Sequence, residues 1–516
     1  MTQPPVQKRT CDLLIVGGGI NGVGIARDAV GRGLEVILCE QHDLAQHTSS
    51  ASTKLIHGGL RYLEYYEFAL VRKALQEREV LLRAAPHIIR PLRFVMPHDA
   101  SQRPAWMIRA GLFLYDYLAK RRFLPGSASI ALKRHVAGAA LKDDYRRAFV
   151  YSDGWVDDAR LVVLNALDAS ERGARIMTRT KCLSAQPSGA GWCAQLQEEQ
   201  GARTEISARA IVNAAGPWTA HFADAINGGR HRYGLRLIKG SHIVVPRLFD
   251  HPFAYLFQNP DKRIIFAIPY QNDFTLIGTT DLEYQGNPDH VTIDADEIAY
   301  LCAMANRYFT RQITAQDVVW TYSGVRPLLD DSAKNASAVT RDYHLECNRK
   351  GPPLLNVWGG KITTYRKLAE EAMAILAERL DVSALSWTAA APLPGGDLEY
   401  AGKLVERYDF DAFLQRFCAA LPWLPQPLAA RYAHCYGTRA GRMLGSAAQM
   451  SDLGEELAPG LFAVEAGYLV DVEWARSAED ILWRRTKLGL RCQPQHVTRL
   501  TEWLAARNGP QPQPAV

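Results

Sequence analysis

The sequence is poor in the features that define several large protein classes. Its nine cysteines are spread from Cys11 to Cys492 and form no C-x-x-C pair. That spread argues against a zinc site, an iron–sulfur cluster or a disulfide framework, so no metal is expected. Reduced thiols in a cytosolic compartment are the simpler reading. No run of about 18 apolar residues occurs, so no helix is expected to span a membrane. The N-terminus, MTQPPVQKRT, lacks the apolar stretch of a secretory signal. The net charge is only +6, and basic residues are scattered without an aromatic–basic stripe, which argues against a nucleic-acid partner. What remains is a globular composition, 47% hydrophobic and 22% charged, over 516 residues, a length for two or three domains.

The apolar runs CDLLIV (Cys11 to Val16) and LEVILC (Leu34 to Cys39) flank a stretch of helical composition from Gly22 to Arg32. This is a strand–helix–strand unit of about the minimum length for a parallel crossover. Gly17, Gly19 and Gly22 give G-x-G-x-x-G directly after the first strand. Glycines there allow a tight turn, so helix N–H groups and the helix dipole can hold a pyrophosphate. Glu40 ends the second strand, where an acid accepts from a ribose hydroxyl, favouring FAD or NAD over a 2′-phosphate.

Two later apolar segments also end in glycine: Ala210 to Asn213 before Gly216, and Leu354 to Trp358 before Gly359 and Gly360. A discontinuous nucleotide domain follows from these returns, which a classical NAD-linked dehydrogenase does not need. The hydroxyl-rich loop from Thr48 through Ser49 and Ser50 to Lys54 offers small donors to a phosphate and ribityl chain. Lys361, beside the helix start after Gly359-Gly360, is placed to stabilise negative charge on a reduced flavin. Between these units, SHIVVP, RIIFAIPY and FTLIGTTD alternate with turn residues as antiparallel strands do.

The segments IVGGGINGVGIARDAVGRG, TSSASTKLIHGGLRYLE, SHIVVP, SGVRPL and GGKITTYRKLAE together resemble the FAD-dependent glycerol-3-phosphate dehydrogenases, especially the aerobic, quinone-linked bacterial type. The matches run in order from about residue 11 to residue 375, and LWRRTK near Trp483 also fits. The expected fold is α/β and α+β. A discontinuous Rossmann-like FAD-binding domain spans 1–80, 150–222 and 340–390. An antiparallel-sheet substrate domain spans 81–149 and 223–339, a C-terminal helical domain 391–508, and a disordered tail 509–516.

The resemblance implies oxidation of glycerol 3-phosphate, with electrons passed to ubiquinone at the inner face of the bacterial membrane. It places Arg61, Tyr62, His242, Arg326, Lys361 and Thr363 around the substrate. Arginine suits a phosphate because its fork is bidentate. His242 and His57 are rival bases for the hydroxyl proton, and Arg326 is a candidate stabiliser of the developing alkoxide. Non-covalent FAD and a homodimer are further expectations.

Any membrane contact would be peripheral. PAWMIRAGLFLYDYLAKRRF, Pro104 to Phe123, joins aromatics to Lys120, Arg121 and Arg122, as the headgroup region of an anionic leaflet favours. A buried helix is the alternative. Ile481 to Lys487 is a second, weaker candidate. Functional alternatives are an oxidase using dioxygen and a non-catalytic flavin-binding sensor or scaffold; a related anaerobic subunit would be expected to carry a cysteine-rich extension for electron transfer, and this chain has none.

Overall fold

The computed structural model describes residues 6–99, 102–227, 233–261, 263–330, 342–383, 385–400, 403–404 and 409–508; the expected tail at 509–516 lies outside them. The first sheet begins with β1, Gln7–Val16, continues through the helix α1, Ile20–Val30, and returns in β2, Val36–Cys39. β1 pairs in parallel with β2 on one side and with the strand Arg203–Asn213 on the other. That strand in turn pairs in parallel with Leu354–Gly359. The three strand-and-glycine units, far apart in sequence, therefore lie side by side in one sheet.

Parallel strands must be covered on both faces. On one face α1 packs against the helices Asp158–Glu171 and Tyr365–Leu380. All but one of its residues are buried, Arg27 among them; that guanidinium donates to Asp168 Oδ2 at 2.5 Å.

The second sheet is built on the strand Leu235–Pro246, which pairs antiparallel with Trp320–Leu329 and with Phe274–Gly278. It continues through Ile264–Tyr270, Ala254–Gln258, Ile89–His98 and Arg147–Val156. Ala254–Gln258 and Ile89–His98 run parallel, and the other described pairs of this sheet are antiparallel. Two expected boundaries shift. The short strand Leu55–Ile56 joins this sheet, and Arg147–Val156 carries it past residue 150. The chain crosses back to the first sheet only at the helix Asp158–Glu171.

From Phe410 to Asn508 most of the chain is helical, around a core that includes Tyr432, Leu469, Ile481 and Leu500. Buried charge ties this unit to the loop after β2. Asp43, fully buried, accepts from Arg484 Nε at 2.6 Å and from Arg485 Nη1 and Nη2 at 2.7 and 2.8 Å. This overturns Ile481 to Lys487 as a membrane contact. Ile481, Leu482, Arg484, Arg485 and Lys487 are buried, and Trp483 stacks on Trp320 at 4.2 Å. Among the described residues no helix is long and apolar enough to cross a membrane.

Candidate active site

The turn between β1 and α1 is shaped by close backbone approach. A Cβ at Gly22 would lie 1.9 Å from the Gly17 carbonyl oxygen, and one at Gly17 would lie 2.4 Å from that of Ala214. No side chain larger than hydrogen fits either position, so the turn stays tight. No acidic residue stands in the first turn of α1, and its N-cap, Gly19, makes no side-chain bond. Ser49 Oγ accepts from the Ile20 N–H at 3.0 Å. The half-buried Glu40 accepts from the Gly18 and His42 N–H groups at 2.7 and 2.8 Å. Burial raises its pKa, and the two backbone bonds oppose that rise.

A cavity of about 650 Å³ starts at this turn, where Gly19, Thr48, Ser49 and Gly216 line it. It continues past Gly359 and Gly360, both held at positive φ, to the second sheet. Asn21 knits two of the glycine turns together by donating through Nδ2 to the Gly359 carbonyl at 3.2 Å.

Two expected members of the hydroxyl-rich loop, Ser50 and Lys54, are not among the residues that line this cavity. The left-handed backbone of Lys54, φ 61°, turns the side chain inward, where Nζ donates to both carboxylate oxygens of buried Asp158 at 2.8 and 3.0 Å. Ser50 turns its hydroxyl back onto the His47 carbonyl at 3.3 Å. The loop is thus held from beneath by an ion pair, and Thr48, Ser49, Ser52 and Thr53 face the cavity.

The far end brings most of the expected substrate residues together. His57, Arg61, Tyr62 and Thr363 line the cavity with Arg326 and Lys361. The His57 N–H donates to Thr363 Oγ1 at 3.2 Å, so the strand Leu55–Ile56 and the start of the helix Tyr365–Leu380 register against each other. Lys361 Nζ lies 4.0 Å from the centre of the Tyr62 ring, a cation–π contact. Arg326 is aimed by three acceptors: Asp281 Oδ1 at 2.6 Å, Thr279 Oγ1 at 2.8 Å and the Thr280 carbonyl at 3.3 Å.

His242 is the exception. It is fully buried, stacked 4.6 Å from Tyr322, and its Nε2 lies 3.0 Å from Thr53 Oγ1, with Thr53 between it and the cavity. Burial, with Arg326 and Lys54 nearby, holds its imidazole well below the usual range. His242 thus meets the cavity through Thr53 and is not among the residues that line it. Thr53 is legible in the sequence only as one member of the hydroxyl-rich loop, and Asn21, Thr279 and Asp281 carry no assignment there. The run Thr279-Thr280-Asp281, directly after a strand, was the readable signal for the last two.

The model of the FAD dependent oxidoreductase family matches residues 12–366, and that of the C-terminal domain of alpha-glycerophosphate oxidase matches residues 386–505. A glycerol-3-phosphate dehydrogenase of Pseudomonas aeruginosa is 54% identical over 97% of this chain and 96% of its own length. This chain belongs to the FAD-dependent glycerol-3-phosphate dehydrogenase family. A second member-like relative, the D-erythritol 1-phosphate dehydrogenase of Brucella abortus, is 48% identical over 97% of this chain and 99% of its own length. Among solved structures, the glycerol-3-phosphate dehydrogenase from Bacillus halodurans complexed with FAD aligns with a TM-score of 0.75. It is 28% identical and covers 97% of this chain and 91% of that one.

FAD, the cofactor of this dehydrogenase family, fits the residues present. The tight glycine turn leaves α1's N-terminus open to a pyrophosphate, and Glu40 keeps lone pairs for ribose hydroxyls. The helix Ala105–Tyr117 forms part of the cavity wall and has one buried and one exposed face. Leu112 and Tyr115 point inward, and Tyr115 OH donates to Asp153 Oδ1 at 2.7 Å. Trp106, Phe113 and Tyr117 are 70%, 57% and 68% exposed. Met107 and Leu114 of the same helix line the cavity, so an exposed apolar face borders its entrance.

Proposed function

We propose that this chain oxidises sn-glycerol 3-phosphate to dihydroxyacetone phosphate and passes the electrons to a membrane quinone from the inner face of the bacterial plasma membrane. The observation that carries this reading is one continuous cavity joining the dinucleotide turn to three cationic side chains, Arg61, Arg326 and Lys361. Such a set suits a phosphate dianion. Bound FAD supplies the acceptor for the hydride that leaves C2. His57 lines the cavity and takes the hydroxyl proton, so the alcohol leaves as a ketone. The Arg326 guanidinium, fixed by Asp281 and Thr279, stabilises negative charge as it develops on that oxygen. Binding energy from the phosphate orients C2 before reaction.

The exposed aromatics of the helix Ala105–Tyr117 and the exposed Lys120 and Arg122 support a peripheral contact with an anionic leaflet and a quinone as acceptor. A second substrate reading, a four-carbon polyol phosphate, is favoured by the name of the Brucella relative. It shares the phosphate and the secondary hydroxyl with glycerol 3-phosphate.

Anaerobic addition of sn-glycerol 3-phosphate, D-erythritol 1-phosphate and free glycerol, followed by flavin absorbance, tests the reading. Fast bleaching by the first alone is expected, and re-oxidation by a ubiquinone analogue should outrun that by air. Bleaching by free glycerol at a comparable rate means the cations have been misread. Faster bleaching by the erythritol ester transfers the assignment to the longer substrate, and faster re-oxidation by air makes the protein an oxidase.

A further inference from the structure

We propose that His42, His47 and Asp289 form a binding site for a divalent transition-metal ion outside the cavity, clipping the cofactor loop to the second sheet. The three side chains offer one donor atom each, all within 4.8 Å of one another. His42 Nδ1 and His47 Nε2 are 2.8 Å apart, and His47 Nε2 is 3.8 Å from Asp289 Oδ1. Ligands bonded at about 2.05 Å to a tetrahedral ion stand about 3.4 Å apart. These two separations straddle that value, each within about 0.6 Å of it, and the third pair, His42 and Asp289, lies within 4.8 Å and closes further on an ion.

Three observations separate this trio from an ordinary polar cluster. Asp289 Oδ1 is buried and accepts no hydrogen bond, a costly state for a carboxylate oxygen. A simple N–H···N bond between the two rings would leave that oxygen unserved, whereas an ion serves all three atoms. Both rings are half-buried and meet edge-on with 4.9 Å between their centroids, so their facing nitrogens converge on one point away from bulk water. A pocket of about 180 Å³ opens beside His47 and Asp289, with space for water as a fourth ligand. Two imidazoles and one carboxylate suit zinc or a neighbouring first-row ion over magnesium or calcium, which take oxygen ligands.

The placement gives the ion something to do. The His42 N–H donates to Glu40, the ribose-binding acid in this reading, and His47 directly precedes Thr48 and Ser49. The His47 ring also packs edge-on against Trp218 at 4.8 Å. Asp289 sits in the short turn Pro288–His290, beyond the edge strand Leu282–Glu283 of the second sheet. An ion there cross-links the loop that cradles the cofactor to a different sheet, and a clip on the folded loop slows its opening.

The test uses holoenzyme stripped by a chelator and titrated calorimetrically with zinc(II). One ion per chain is expected, and cobalt(II) should give d–d bands to the red of the flavin. His47→Asn should weaken zinc binding by more than about 100-fold, because even outer-shell partners of a metal cost 10–100-fold. Asp289→Asn, nearly isosteric, should weaken it by at least about tenfold. Release of FAD should slow with zinc in the wild type and be insensitive to zinc in His47→Asn. Absence of zinc binding by stripped wild-type protein overturns the site, as does equal affinity and stoichiometry in both variants. Should His47→Asn fail to fold, the wild-type titration and Asp289→Asn still decide, and neither depends on which polyol phosphate is the substrate.

Discussion

Replacing Lys54 with methionine keeps the length of the side chain and removes one charge from a site where both partners are almost wholly excluded from water. Lys54 is 1% exposed and Asp158 is fully buried. The ammonium spans both carboxylate oxygens at 2.8 and 3.0 Å and also donates to the Ser50 carbonyl at 3.1 Å. Removing one partner of such a pair costs about 3–5 kcal/mol, because the other charge stays buried and uncompensated. Asp158 keeps three donors, the Ser52 hydroxyl at 2.7 Å, the Ser52 N–H at 3.2 Å and the Ala159 N–H at 2.9 Å, which places the cost near the lower end, about 3 kcal/mol. The loop that Lys54 anchors contributes Thr48 and Ser49 to the cofactor cavity. If the whole cost falls on loop order, FAD affinity drops by about 10²-fold, since about 1.4 kcal/mol is tenfold.

The assay is reconstitution of apoprotein with FAD, read by flavin fluorescence, beside the thermal midpoint of each holoprotein. Asp158→Asn alone should weaken binding as well. The double variant, with both charges gone, should lose less than the sum of the two single losses, with a coupling of about 2 kcal/mol. Wild-type FAD affinity and thermal midpoint in Lys54→Met would refute the claim that this pair orders the loop. Strict additivity would show that the two residues act separately.

Arg326→Lys keeps the charge but loses the planar fork that Asp281 and Thr279 aim; the turnover number should fall by about 10²–10³-fold with a rise in KM, and a change in KM alone would confine Arg326 to phosphate binding. Changing Lys120, Arg121 and Arg122 to serine removes two outward charges, because Arg121 already donates to the Asp116 carbonyl at 3.1 Å. At about 1 kcal/mol each, liposome binding should weaken about thirtyfold at low salt, and salt-independent, unchanged partitioning would count against an interfacial helix. Burial holds His87 down to about 3, and neither ring nitrogen has a hydrogen-bond partner. The unfolded imidazole titrates near 6.5, so below that pH the unfolded chain alone takes up the proton and stability falls, by up to about 1.4 kcal/mol per pH unit. His87→Leu should flatten urea midpoints measured from pH 6.5 to pH 4, and an unchanged slope would mean that other groups carry the acid sensitivity.

What the sequence revealed was what is locally encoded. The glycine turn from Gly17 to Gly22, the acid at Glu40 and the two later strand ends each announce themselves within a few residues, and the first sheet is their assembly. Lys54 misled because its partner, Asp158, lies on a distant helix and its left-handed backbone is invisible in a run of small polar residues. His242 misled for a related reason. Its motif is intact, but the register that sets it opposite Tyr322 and behind Thr53 exists only in the sheet. The helix Ala105–Tyr117 carries apolar residues on more than one face, so its pattern alone does not say which face meets protein; Leu112 and Tyr115 turn out to do so.

The order of strands in the first sheet has a consequence for synthesis. β1 is made well before Arg203–Asn213 and until then is flanked by β2 on one side only; Arg203–Asn213 is paired along its first half by the antiparallel strand Gly191–Glu198, and its end, Ile211–Asn213, is covered only when Leu354–Gly359 joins it. A short apolar stretch of edge at Ile211–Asn213 therefore stays open while the strands of the second sheet between Leu235 and Leu329 are made, and its missing neighbour must close a long loop before its contacts repay the entropy. An open edge of this kind is an invitation to pair with other chains. A ribosome-bound fragment ending before residue 354 should therefore lean on holding chaperones, and the protein's yield should depend on how fast the ribosome covers the stretch between Asn213 and Gly359.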